Sequence, residues 1–150
     1  MQLKVFIFAS AILVGLLYVL PQLVVAKHLS NEGRYFALNF EVYRDELFYL
    51  TRAREVYDGH FPPLDPYFDE QNPNIQNPLP SGILAVLFTV FGGDPVRTFL
   101  TAEFIFSGII FLLLYILGKQ LFQSPLWAIS FAYITILTPM ALRILNFHGA

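Results

Sequence analysis

The chain has 150 residues, 56% of them hydrophobic and only 13% charged, with a net charge of −2 and no cysteine. A soluble domain of this size cannot hide so much apolar surface. The negative charge argues against the basic face that a nucleic-acid partner needs, and the lack of cysteine excludes a disulfide scaffold and thiolate metal sites.

Charge is also segregated. Between Lys27 and Leu79 lie five of the nine basic and nine of the eleven acidic residues, so the other 97 residues hold only six charges. The expected fold class is all-α: a polytopic membrane bundle of three to four transmembrane helices, with one long acidic, aromatic loop after the first.

The first apolar run covers residues 5–26, and about 20 apolar residues span a bilayer. Lys4 precedes it and Lys27-His28 follow it. The competing reading is a signal peptide cleaved after Val24-Val25-Ala26. The run exceeds the ~7–15-residue core of such peptides, so residues 1–26 are expected to stay as an anchor, with Pro21 kinking the last turn. Residues 27–79 form the loop. Within it, the stretch from about 41 to 58 reads as a juxtamembrane helix. Leu47, Phe48, Leu50, Ala53, Val56 and Tyr57 are its apolar positions, and such a helix can lie along the membrane interface. Gly59 suits its C-terminal cap and Pro62-Pro63 forbid continuation.

Residues 80–150 are expected to hold the remaining spans. The run from Pro80 to Phe91, closed by Gly92-Gly93-Asp94-Pro95, is short for a span. It works as a span if the helix begins near Leu79, or if the segment is tilted within a bundle, or it is re-entrant. Residues 97–118 make the clearest later span and 125–145 the last, interrupted by Pro139. The end at 146–150 has no polar tail, so the chain is expected to be the front of a longer protein. Counting short loops, an inside N-terminus groups Lys4, Arg97 and Arg143 against Lys119. That places the loop on the exoplasmic face.

The residues best suited to chemistry run from Asp45 to Glu55. On a helix Asp45, Tyr49 and Arg52 fall at i, i+4 and i+7, on one face. Asp45 and Glu46 at the helix start can supply a general base at the membrane surface. Arg52 and Arg54 can clamp a phosphate, because guanidinium groups pair bidentately with its oxygens. The competing reading is an amphipathic interfacial helix with carboxylates at its positive end and internal ion pairs.

Elsewhere, Asp65, Asp69 and Glu70 with His60 could ligate a hard cation or form a solvated acidic turn. Glu103 is an acid inside a span, which is costly and marks either a site or a satisfied interfacial residue. Arg143 snorkels. Tyr35, Phe36, Phe40 and Tyr43 read as an interfacial aromatic belt or a surface for a sugar or polyprenyl chain.

The order Asp45-Glu46, Tyr49, Arg54-Glu55 and Gly59 is followed by Asn77-Pro78-Leu79-Pro80, Phe91-Gly92-Gly93 and Arg97. In this order the chain resembles the membrane glycosyltransferases that use polyprenyl-phosphate sugars, the protein O-mannosyltransferase and aminoarabinose-transferase superfamily of GT-C type. The family places Lys or His before the proline motif, where this chain has Asn77.

The resemblance implies that Asp45 is the base that deprotonates the acceptor hydroxyl or phosphate, and that Glu46 assists. It implies that Tyr49 and either Arg52 or Arg54 face the lipid phosphate. The sugar would leave that phosphate with inversion, for an acceptor protein or lipid, with no nucleotide sugar. The resemblance names no definite cofactor. The loop is also similar to that of the oligosaccharyltransferase catalytic subunit, through Asp45 and Arg52, and that sibling implies a divalent cation, Mg²⁺ or Mn²⁺. Outside enzymology, the same features fit a small membrane subunit or scaffold whose loop is a docking surface.

Overall fold

The computed structural model describes residues 2–34, 45–64 and 77–147, with side chains over 3–34, 48–64 and 77–139. The described residues form five helices: α1 (Gln2–Asn31), α2 (Asp45–Tyr57), α3 (Leu79–Val90), α4 (Pro95–Phe122) and α5 (Pro125–Phe147). No strand occurs among them, so the chain is all-helical there, as its composition requires. The helices divide into two compact units, one made of Met1–Val25 with Glu103–Ala150 and the other of Ala26–Ala102.

In the first unit, α1 and α4 are each long and apolar enough to cross a membrane. α1 has 30 residues and runs through Pro21. It continues five residues past the expected end at Ala26, because a charge marks the edge of an apolar run, not the end of a helix. The two helices are antiparallel. A Cβ at Gly15 would meet Phe104 at 2.7 Å, and one at Gly108 would meet the Ala11 carbonyl at 3.2 Å. Position on α1 thus rises as position on α4 falls, and glycine lets the backbones approach. By the same register Lys119 falls level with the first residues of the chain.

α5 runs antiparallel to α4: Gly118 faces Ala128, and the Phe111 and Tyr133 rings meet tilted at 57°, with centres 4.9 Å apart. The Tyr18 hydroxyl donates to the Ile136 carbonyl at 2.6 Å. Ala11, Val14, Phe111, Ala132 and Ile136 form the core. The described apolar part of α5, Pro125–Pro139, is shorter than a bilayer needs.

In the second unit, α3 packs on α2. Leu50, Ala53 and Phe88 are buried together, with Tyr57, Leu84 and Phe99 against them. α3 starts at Leu79, the first of the starts the sequence allows, but has only 12 residues. It rises about 18 Å, against the roughly 30 Å of a bilayer core. The sequence cannot separate a short span from a short packed helix, because both read as one apolar run.

Helix ends in this unit are set locally. The His60 N–H donates to the Glu55 carbonyl at 2.9 Å and the Gly59 N–H to that of Val56 at 3.2 Å. This is the Schellman arrangement, with Gly59 at φ +98 as the expected cap. Gly92-Gly93 ends α3 in the same way. Asp94 then caps α4, its carboxylate accepting from the Arg97 N–H at 3.0 Å, and Pro95 takes the first helical position.

Candidate functional site: one side of helix α2

The described part of helix α2 runs from Asp45 to Tyr57, so both carboxylates expected to do chemistry, Asp45 and Glu46, lie on this helix. Their side chains are outside the described residues. At roughly 100° per residue, Asp45, Tyr49 and Arg52 share one side of the helix and Arg54 lies opposite Asp45. The sequence leaves Arg52 and Arg54 as alternatives, and the structure gives them different surroundings.

Arg54 is tied down on its own side. Its Nε donates to the Asp58 carboxylate at 2.8 Å, and its Nη1 donates to the Gly93 carbonyl at 3.3 Å. The guanidinium lies 4.9 Å from the centre of the Tyr57 ring. The hydrogen bond that Arg54 donates to Asp58, with that carboxylate's charge, pushes the Arg54 pKa further up. Arg54 therefore joins the C-terminal turn of α2 to the turn between α3 and α4.

Arg52 is 1% exposed, the largest fully buried side chain among the described residues. Its guanidinium sits 5.3 Å from the centre of the Phe48 ring, and Phe48 meets Tyr49 edge to face at 5.6 Å. Tyr49 itself is 43% exposed. The sequence groups Arg52 with the polar positions of an interfacial helix. Its burial is a tertiary effect that helical spacing does not encode.

Other expected positions separate. His60 pairs with Glu55 at 3.1 Å, while Asp65, Asp69 and Glu70 lie outside the described residues. Among those described, no three His, Asp or Glu residues gather as a metal-ligand group, so no ligand set for Mg²⁺ or Mn²⁺ can be assembled from them. Tyr35, Phe36, Phe40 and Tyr43 also lie outside the described residues, as does the Arg143 side chain. Glu103 accepts a hydrogen bond from the Gln22 amide at 2.6 Å, and its carbonyl accepts from the Ser107 hydroxyl. Sequence reading passes over Gln22, although an amide inside an apolar run is a signal that a polar partner waits on another helix. It also passes over Gly93 as the acceptor for Arg54.

No protein-family model matches the chain, and no curated protein and no solved structure matches it either.

Proposed function

We propose that the chain belongs to a multi-pass membrane glycosyltransferase of GT-C type that moves a sugar from a polyprenyl-phosphate donor to an acceptor at the exoplasmic face. The observation that carries this reading is the division of labour along α2. Asp45, Tyr49 and the buried Arg52 share one side, while Arg54 on the other side is occupied with Asp58 and Gly93. In this reading Asp45 takes the acceptor proton and Glu46 supports it. Arg52, with Tyr49 beside it, faces the donor phosphate, where a desolvated guanidinium binds phosphate oxygens strongly. Arg54 holds the helix in place.

The membrane placement draws on the first unit. α1 and α4 keep most of their apolar side chains exposed, which suits lipid and not water. Because they are antiparallel, residues 26–102 leave and rejoin that helix pair at one end. Lys4 and Lys119 mark the opposite end, which this reading takes as the cytosolic one. This regroups the basic residues expected from the sequence: Arg97 and Arg143 now fall on the loop's side, two against Lys4 and Lys119, so the exoplasmic loop is carried by the proposed reaction and not by the charge count. α5 is the third crossing, on its 23-residue length.

The test is transfer by the native gene product in membranes, supplied with radiolabelled polyprenyl-phosphate sugars. Asp45→Asn should lose about 10²–10⁴-fold, the range for a positioned general base, with membrane insertion intact. Arg52→Lys should lose far more activity than Arg54→Lys. Native turnover in Asp45→Asn removes the base, and an equal loss in both arginine variants removes the assignment of the phosphate to the Arg52 side.

A further inference from the structure

Helix α3 has two apolar faces. Ser81, Ala85 and Phe88 are buried, and Leu84 and Phe88 pack with Leu50, Ala53 and Tyr57 of α2. On the opposite side Leu79, Ile83, Val86 and Val90 are 44–68% exposed. Their spacing of i, i+4, i+7 and i+11 puts all four within roughly 60° of one line along the helix. No charged residue occurs from Leu79 to Gly93. A helix that is apolar all round needs a second apolar phase on its free side, and a stripe of four large aliphatic side chains is not an ordinary surface for water.

The chain's own continuity says which phase that is. The unit containing α3 is bounded at Val25/Ala26 and Ala102/Glu103. At both boundaries the chain is inside one of the two helices that are long and apolar enough to cross a membrane. The α1–α4 pairing brings those boundaries to the same end of the helix pair. Residues 26–102 are thus tethered to a bilayer surface at both ends, while α3 itself is too short to cross.

We infer that α3 is a membrane-surface helix: it lies in the plane of the interface with Leu79, Ile83, Val86 and Val90 in the lipid, and carries α2 on its other face. The Asp45–Arg52 side of α2 is then presented beside the bilayer by α3, and α2 need not lie in the interface itself. This inference rests on the membrane reading of α1 and α4, and it is independent of the sugar-transfer reading.

The chain has no cysteine, so single substitutions Ile83→Cys, Val86→Cys and Val90→Cys each carry one nitroxide label in the full chain, reconstituted into phosphatidylcholine nanodiscs. Depth is read from relaxation by oxygen against a water-soluble nickel chelate. The expected result is one shared depth for all three labels, within about 5–10 Å of the headgroup boundary. A helix standing across the bilayer would separate positions 83 and 90 by about 10 Å, and such a spread overturns the in-plane arrangement. Free access of the nickel chelate overturns lipid contact. Access by neither relaxant means that protein covers the stripe, which overturns the lipid occupant. A Leu113→Cys label in α4 should lie deep in the bilayer in each of these cases. If that label meets water, it is the membrane reading that falls.

Discussion

Gly93 answers to two constraints at once. Its φ of +83 is one that other residues adopt only with strain. A Cβ there would also lie 2.8 Å from Arg54 Nη1 and 3.4 Å from the Tyr57 ring. Gly93→Ala should therefore destabilise the second unit by about 1–3 kcal/mol, measured as earlier thermal unfolding in detergent. In an Arg54→Ala background the clash disappears but the backbone strain does not. The penalty should shrink there without vanishing, and full additivity of the two substitutions would show that Arg54 does not touch the turn. Arg52 gives the opposite lesson. Its place on the Asp45 side can be read from spacing alone. Its burial cannot, because helical spacing fixes the side of the helix and not what covers it.

Helix ends marked by proline or glycine were the most legible features of the elements, while α1 and α4 overran the expected 5–26 and 97–118. Pro80, Pro95 and Pro125 open α3, α4 and α5, and Gly59 and Gly92-Gly93 close α2 and α3. These signals act within a turn and need no tertiary partner. Which face of α3 is covered was illegible, because both faces are apolar. The pairing of α1 with α4 was hidden as well, since only Gln22 and the glycines at 15 and 108 hint at it.

That seam supports a test by exchange. Gln22→Glu alone sets two carboxylates together and should cost about 1–3 kcal/mol, seen as lower thermal stability of the purified chain. Gln22→Glu with Glu103→Gln restores one amide and one carboxylate in the same place and should recover most of the loss. A double variant as weak as the sum of its singles would mean that the two side chains do not meet.

For the whole molecule, the decisive property is that α1 and α4 run in opposite directions, and the proposed membrane reading turns this into a prediction that 26–102 belongs to one face and the α4–α5 turn to the other. His60→Cys and Gln123→Cys, each the sole thiol in the chain, separate the possibilities. The impermeant maleimide should label position 60 in intact cells, and position 123 only after permeabilisation. Labelling of both from outside would overturn the antiparallel crossing. Reversed labelling would keep the crossing and invert the orientation, moving the Asp45 side of α2 to the cytosol.

The break between α3 and α4 also matters before the protein is folded. From Leu79 to Gly118 the chain carries only Asp94, Arg97 and Glu103 as charges, so the insertion machinery meets some forty nearly apolar residues in a row. Several windows of about 20 residues within them could enter lipid. A glycine-terminated helix, a capping aspartate and a proline in direct succession divide that stretch at residues 92–95. With α4 crossing and α3 on the surface as proposed, these four residues decide which segment is threaded through the bilayer and which is left on its surface during synthesis.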